Sequence, residues 1–243
     1  MHAHTRIQFL EGPAGLIEVA IDLPSGGGTA SSSGSAGSDH APAGHAPGSD
    51  FGLALIAHPH PLHGGNHNNK VVQTIARALR DLGLQCWRPN FRGVGGSEGA
   101  YDAGRGESED LLALLETATK LLPGLNTPAR PLVLAGFSFG SFVAATVAQI
   151  LGEQGRPPAR LILVGPAAAR FPMPAVASDA LVIHGESDEV VALSEVMAWA
   201  RPLTLPVLVF PDTSHFFHGR LGLLKQRIQQ SLGPIRRHEV RQA

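Results

Sequence analysis

Residues 131–152 read PLVLAGFSFGSFVAATVAQILG, and this stretch decides the fold. The apolar run at residues 132–135 has the length of a buried strand and is too short for a helix. A turn at residues 136–140 follows, with a glycine at each end. Beyond it, apolar residues recur at helical spacing as far as Leu151, and Gly152 stands where a helix would end. The sequence therefore predicts a strand, a sharp turn and a helix in succession.

The turn carries the pattern G-x-S-x-G, which occurs twice, around Ser138 and around Ser97. At Ser138, the strand-to-helix turn exposes the serine hydroxyl, and the glycines let strand and helix approach closely. A helix N-terminus also brings free backbone N–H groups to that point. The match around Ser97 follows the loop sequence at residues 90–94 and continues into further turn residues, with no helix behind it. We therefore predict that Ser138 is a nucleophile and that Ser97 is a loop serine.

The rest of the chain alternates short apolar strands with amphipathic helices, a pattern typical of a parallel sheet covered on both faces. Residues 6–10 and 16–23 read as a β-hairpin. The later strands are predicted at residues 53–57, 84–89, 132–135, 161–164, 181–184 and 207–210. The main helices are predicted after a cap at Asn68 or Asn69, from about residue 108 to Pro123, after Ser138, and at residues 190–200 and 220–232. The predicted fold is an α/β sheet of about eight strands with helices on both faces, as one domain over residues 1–243.

Residues 25–50 interrupt this pattern with a run rich in glycine, serine, alanine and proline. Such a run has little to bury, which predicts a flexible surface insert. A binding role for its histidines His40 and His45 is the alternative.

Composition excludes several classes of protein. The net charge of −1 provides no basic surface for nucleic acid or an anionic membrane. The single cysteine, Cys86, excludes an internal disulfide, and no apolar run approaches the length of a membrane span. Twelve histidines form no recognisable ligand pattern. We expect a cytoplasmic protein without metal or cofactor, whose partners are a small-molecule acyl substrate and, at most, a second copy of itself.

Chemistry-bearing residues follow three of the predicted strands, where ligands bind in an open parallel sheet. Ser138 follows the strand at 132–135, an acidic loop with Asp188 follows the strand at 181–184, and His215 follows the strand at 207–210. Serine, acid and histidine thus occur in that chain order, each on a loop at a strand end. A serine hydroxyl is a weak nucleophile and needs an adjacent base, for which histidine suits at neutral pH.

This order and the serine's setting resemble the α/β-hydrolase fold superfamily. Six segments resemble, more narrowly, small lidless bacterial serine hydrolases near the dienelactone-hydrolase-like group: HPHPLHGG, NNKVV, NFRGVGGSEG, GFSFG, HGESDEVV and SHFFHGRL. Outside the insert, the resemblance spans nearly the whole chain. It implies a Ser138–His215–Asp188 triad, with His215 as the base and Asp188 as its orienting acid.

The residues alone leave rivals for these roles. His218 is a second candidate base, and Glu186, Glu189 and Asp212 are other acids near Asp188 or His215. Asp188 itself has an alternative role as the cap of a helix starting at Val190.

A serine hydrolase also needs two N–H donors for the oxyanion. The first expected donor is the backbone N–H of Phe139, the residue after the serine. The second comes from the loop after the strand at 53–57, where Pro59 and Pro61 have no N–H to give. His60 or Leu62 must then serve, and the position favours His60. We expect the side chains of the histidines in this loop to pack and hydrogen-bond, without a metal.

The expected function is hydrolysis of an ester, thioester or amide through an acyl-enzyme. The alternatives are a non-catalytic binding protein of the same fold and a triad enzyme of another reaction type. The connection at residues 166–180 holds three prolines and no segment long enough for a lid helix. We therefore expect an open site and a small soluble substrate, with phenylalanines at 137, 139, 171, 216 and 217 as candidates to line it. The loop at residues 90–105 is the segment that could fold over the site.

Overall fold

The computed structural model describes residues 5–24 and 51–232, so the predicted insert at 25–50 and its two histidines lie outside the described residues. The strands are β1 (Thr5–Gly12), β2 (Gly15–Asp22), β3 (Leu53–Ala57), β4 (Gln85–Pro89), β5 (Leu132–Phe137), β6 (Arg160–Val164), β7 (Leu181–Gly185) and β8 (Val207–Phe210). The helices are α1 (Lys70–Asp81), α2 (Arg105–Leu121), α3 (Phe139–Glu153), α4 (Leu193–Ala200) and α5 (Leu221–Leu232).

The eight strands form one sheet in the order β1-β2-β4-β3-β5-β6-β7-β8. The hairpin of β1 and β2 is antiparallel, and β2 joins β4 in the antiparallel sense. All neighbours from β4 to β8 are parallel. The predicted α/β class, the strand number and the N-terminal hairpin are therefore confirmed. Because β3, β5, β7 and β8 run in the same direction, the loops that follow them meet at one edge of the sheet.

Two apolar layers cover the sheet, one on each face. Helices α1 and α5 pack on one face through fully buried side chains such as Ile75 and Ile228. Helices α2, α3 and α4 cover the other face, with Leu114, Val143 and Val196 equally buried. Burial on both faces explains why the strands read as continuous apolar runs. Each fully buried aliphatic side chain contributes about 1.5–3 kcal/mol relative to exposure, so the central strands form a rigid support for the loops at their ends.

Helix α1 begins where the sequence places a cap. The Asn69 side-chain oxygen accepts hydrogen bonds from the backbone N–H groups of Val71 at 2.9 Å and Val72 at 3.4 Å. Asn69 is therefore the cap, and Asn68 lies outside the helix.

Two predicted helix starts were wrong, and a carboxylate explains each. Helix α2 begins at Arg105, before residue 108, because Glu107 accepts from the N–H groups of Asp102 at 2.9 Å and Gly104 at 2.8 Å. Helix α4 begins at Leu193, after the predicted residue 190. The carboxylate of Glu195 accepts from the N–H of Ala192 at 3.1 Å, the residue before this start.

Candidate active site

Ser138 stands at the junction of β5 and α3 in a strained conformation. Its φ of 56° and ψ of −119° lie in a region that non-glycine residues rarely occupy. The flanking glycines make this turn possible, because a Cβ at Gly136 would overlap the backbone of Gly140, and a Cβ at Gly140 would overlap the carbonyl of Ala57. Close packing of β5, α3 and the end of β3 therefore holds Ser138 at the carboxyl edge of the sheet.

Three side chains from separate loops form a continuous hydrogen-bonded chain at this edge. The imidazole Nε2 of His215 lies 3.0 Å from Ser138 Oγ, and its Nδ1 lies 2.7 Å from Asp188 Oδ2. Since a carboxylate only accepts, Nδ1 carries the proton and donates to Asp188, which leaves the Nε2 lone pair to accept from the serine hydroxyl. All three residues are buried. The structure thus brings together the serine, the acid and the histidine that the sequence singles out.

Asp188 bonds the His215 ring and the turn at residues 190–191, and it caps no helix, because α4 begins only at Leu193. Its Oδ1 accepts from the backbone N–H groups of Val190 at 2.9 Å and Val191 at 2.8 Å, while Oδ2 faces His215. Burial raises the pKa of this carboxyl, but hydrogen bonds from His215 and from the N–H groups of Val191 and Val190 outweigh it and lower the pKa below its ordinary value. Asp188 is therefore ionised at neutral pH, as the acid of such a chain must be.

The rival acids take part in backbone hydrogen bonds. Glu189 Oε2 accepts from the backbone N–H of His215 at 3.2 Å, and Glu186 Oε2 accepts from that of Asp212 at 3.0 Å. Asp212 is an exposed turn residue with a φ of 49°. These contacts stabilise the loop that carries His215. The rival base His218 is exposed, and its ring packs 6.0 Å from Phe216.

The backbone N–H groups of His60 and Phe139 are free to bind an oxyanion. Among the described residues, no acceptor bonds to either of these two N–H groups. The N–H of Leu62 is engaged, because it donates to His60 Nδ1 at 3.2 Å. Of the two donors that the sequence left open in this loop, the geometry therefore favours His60.

The buried side chain of His58 fixes the orientation of the peptide that carries this donor. Its Nδ1 lies 2.6 Å from the carbonyl oxygen of Pro59, and its Nε2 accepts from the backbone N–H of Phe91 at 2.9 Å. In a planar trans peptide the C=O and N–H point in opposite directions. Because the Pro59 carbonyl points at His58, the N–H of His60 points away from that ring. Burial lowers the pKa of His58 to about 3, so this arrangement does not titrate near neutral pH.

Aromatic side chains from three loops and from the start of α3 form a wall beside the two free N–H groups. The His60 ring lies 4.9 Å from Tyr101, 5.1 Å from Phe139 and 6.0 Å from Phe171. Phe142 stacks on Phe171 at 5.1 Å. The loop at 90–105, which the sequence marked as able to fold over the site, lines it through Tyr101. The sequence did not single out this residue, because its contact with His60 spans 41 positions.

The other predicted lining residues divide between core and rim. Phe137 is fully buried beneath the ring of His215, at 4.9 Å between ring centroids. Phe217 is also fully buried and packs against Phe210. Phe216 is exposed beside His215 and stands at the rim. The candidate site is thus apolar on both sides of Ser138, with a lining drawn from strand-end loops, β5 and α3.

Within residues 5–24 and 51–232, no group of three or more histidine, cysteine or carboxylate side chains is arranged to hold a metal ion. In the same ranges, no helix combines the length and the apolar character needed to span a bilayer.

Comparison with known proteins places this geometry in context. The family model described as "Serine aminopeptidase, S33" matches residues 60–178. A crystal structure of XC6422 from Xanthomonas campestris, titled a member of a/b serine hydrolase without lid, is 34% identical, covers 96% of this chain and 95% of its own, and has a TM-score of 0.76. An alpha-beta serine hydrolase homologue from Coxiella burnetii is 36% identical over 94% of this chain and 97% of its own, with a TM-score of 0.73.

One curated sequence relative matches over a shorter stretch. The uncharacterized protein RP471 of Rickettsia prowazekii is 47% identical over 92 residues, which is 38% of this chain and 37% of that protein. The match therefore spans little more than a third of that relative.

The sheet order, the strained serine between β5 and α3 and the histidine within reach of it define an α/β-hydrolase fold of the serine hydrolase class. With full-length relatives above 30% identity, the chain belongs to the lidless α/β serine hydrolases.

Proposed function

We propose that the protein is a carboxylesterase that cleaves small, soluble acyl esters through an acyl-enzyme on Ser138. The observation that carries the proposal is the hydrogen-bonded chain from Ser138 Oγ through His215 to Asp188, with distances of 3.0 Å and 2.7 Å. Such a chain is the arrangement that activates a serine hydroxyl for attack on a carbonyl.

In the proposed mechanism, Ser138 Oγ attacks the ester carbonyl while His215 Nε2 accepts its proton. Asp188 holds the imidazole in the required tautomer and stabilises the imidazolium that forms. The backbone N–H groups of Phe139 and His60 bind the oxygen as it becomes negative, and this preorganised pair supplies much of the rate enhancement. The proton on His215 then passes to the leaving alcohol, and water repeats the sequence to release the acid.

The connection between β6 and β7 supports a small substrate. Residues 165–180 form turns and irregular chain, with no helix that would cover the site. An enclosed acyl chain would gain about 0.8 kcal/mol for each buried methylene, and a site without a lid offers little surface for that gain. We therefore propose that short acyl groups are the preferred substrates.

The family model named for a serine aminopeptidase makes amide cleavage the second candidate. Both candidates are tested by measuring kcat/KM for p-nitrophenyl esters from acetate to palmitate, below and above the micelle threshold, and for aminoacyl p-nitroanilides. The ester proposal predicts a maximum at short chains without a rise on aggregation, and much weaker cleavage of the anilides. A preference for long chains, or for the anilides, would contradict it.

A further inference from the structure

Tyr101, the single tyrosine of the chain, stands beside the proposed oxyanion donors without a part in the mechanism above. Its ring lies 4.9 Å from that of His60 and 5.7 Å from that of Phe139. These are the two residues whose free N–H groups would bind the scissile carbonyl oxygen. The side chain is partly exposed at this wall of the site, so a bound ester would lie next to it.

The hydrogen bonds of His60 determine which way the tyrosine proton points. His60 Nδ1 accepts from the backbone N–H of Leu62 at 3.2 Å, so Nδ1 carries no proton. Burial and the nearby charges of His63 and Arg170 lower the pKa of His60, so the ring is neutral and its one proton lies on Nε2. Tyr101 Oη lies 3.2 Å from Nε2 and must be the acceptor of that proton.

The hydroxyl proton of Tyr101 consequently has no acceptor among the described residues. Among the described residues, Tyr101 Oη has no hydrogen-bond partner besides His60. Burial, and next the charge of Glu107, raise the pKa of Tyr101, so the hydroxyl keeps its proton. The Tyr101 hydroxyl therefore accepts one hydrogen bond from His60 and can donate its own proton to a bound molecule.

We infer that Tyr101 is a substrate-binding residue, whose hydroxyl donates a hydrogen bond to a second oxygen of the substrate close to the scissile carbonyl. The inference rests on the proposed esterase function and narrows its substrate class. The preferred substrates are small esters with an ether, hydroxyl or carbonyl oxygen in the acyl part, adjacent to the ester group. A plain alkyl ester of the same size would cover the tyrosine hydroxyl without offering it an acceptor, which costs binding.

The test compares two esters that differ in one atom, p-nitrophenyl methoxyacetate and p-nitrophenyl butyrate, in which an ether oxygen replaces a methylene. We measure kcat/KM for both with the wild type and with Tyr101→Phe, and divide each by the uncatalysed rate of the same ester. Removal of the hydroxyl should lower the methoxyacetate-to-butyrate ratio about five- to tenfold. The control is Phe142→Leu, which alters the same aromatic wall without a hydroxyl and should leave the ratio unchanged.

An equal loss for both esters in Tyr101→Phe would overturn the inference, because the tyrosine would then act through His60 and not on the substrate oxygen. An unchanged ratio with unchanged rates would overturn it as well. Failure of the proposed function has a different signature, in which the wild type hydrolyses neither ester and a fluorophosphonate probe does not attach to Ser138. Thermal melts of Tyr101→Phe and the wild type confirm that both proteins are folded in the assay.

Discussion

The two G-x-S-x-G segments of this chain share a sequence pattern and differ in backbone conformation and in the hydrogen bonds of their serines. Ser138 lies at the end of a central parallel strand, with a φ of 56° and its hydroxyl 3.0 Å from His215. Ser97 lies in the loop after β4, where its hydroxyl donates to the carbonyl of Asn90 at 2.8 Å and accepts from the backbone N–H of Glu18 at 2.9 Å. One serine faces a histidine, and the other joins a loop to the N-terminal hairpin.

The glycines have different structural roles in the two segments. Around Ser138 they admit the backbone of α3 and of β3, which creates the strained turn. Around Ser97, Gly95 and Gly99 take φ values of 59° and 84°, which favour glycine and fold the loop onto the hairpin. A motif of five residues therefore predicts chemistry only together with the strand before it and the helix after it.

The largest expected effect is the loss of activity when Ser138, and not Ser97, is replaced. Ser138→Ala should lower kcat about 10⁴-fold or more, because the nucleophile of a triad is lost, and it should abolish labelling by a fluorophosphonate probe. Ser97→Ala, in folded protein, should keep both activity and labelling. Peptide mapping of the adduct in the wild type completes the comparison, and an adduct on Ser97 would reverse our assignment.

The next effect tests whether the base and acid beside Ser138 are the ones proposed. Asp188→Asn should lower kcat about 10³- to 10⁴-fold, since the amide favours the wrong tautomer of His215. His215→Ala should be comparably inactive. The matched control is His218→Ala, an exposed histidine three residues away, which should retain most of the activity. If His218→Ala were the inactive variant, the base would have to be reassigned.

A glycine substitution in the Ser138 segment should reduce both stability and activity. Gly140→Ala places a Cβ against the carbonyls of Ala57 and His58, and such overpacking costs about 1–3 kcal/mol. It also displaces the loop of the proposed oxyanion donor, so kcat should fall at least tenfold. Gly152→Ala near the end of the same helix is the control. It has open space around it and should gain up to about 1 kcal/mol in unfolding free energy. Equal melts for the two variants would disprove close packing at Gly140.

Ser97→Ala should affect stability alone. The change leaves the carbonyl of Asn90 and the N–H of Glu18 without their partner, which costs about 1–2 kcal/mol for buried polar groups. Urea denaturation of the variant measures this loss. Stability equal to that of the wild type would show that the loop is held by its other contacts.

The last prediction is confined to acidic pH and concerns His58, whose ring accepts from the backbone N–H of Phe91. With a pKa of about 3 in the folded protein, His58 stays neutral where an unfolded histidine takes up a proton, below its ordinary pKa of 6.5. The unfolded state therefore binds more protons between pH 6.5 and 3, and stability falls as the pH falls through this window.

His58→Gln, whose amide has both a donor and an acceptor, should remove this contribution. The unfolding free energy of the variant should change with pH less steeply than that of the wild type, by about 1.4 kcal/mol per pH unit. His218→Gln at an exposed position is the control and should keep the wild-type slope. Identical slopes for His58→Gln and the wild type would mean that the folded protein protonates His58 near its ordinary pKa.

The sequence by itself determined the α/β class, the order of strands and helices, and Ser138 with its strand and helix. These features depend on neighbours in the chain, through apolar periodicity, turn residues and caps such as Asn69. It also placed Asp188 and His215 on strand-end loops, because parallel strands bring such loops to one edge. The start of α4 was wrong because the helix is set by Glu195, whose carboxylate accepts from the N–H of Ala192, the residue before Leu193.

Only the tertiary structure decided how the loops face one another. The pairing of Asp188 with His215, the orientation of the Pro59–His60 peptide by His58, and the contact of Tyr101 with His60 join residues through space. Hydrogen bonds of this kind depend on distances of about 3 Å and on the direction of single protons. The spacing of residues along the chain carries no such information. The packing of the sheet and helices sets these distances, and the length of chain between two residues does not.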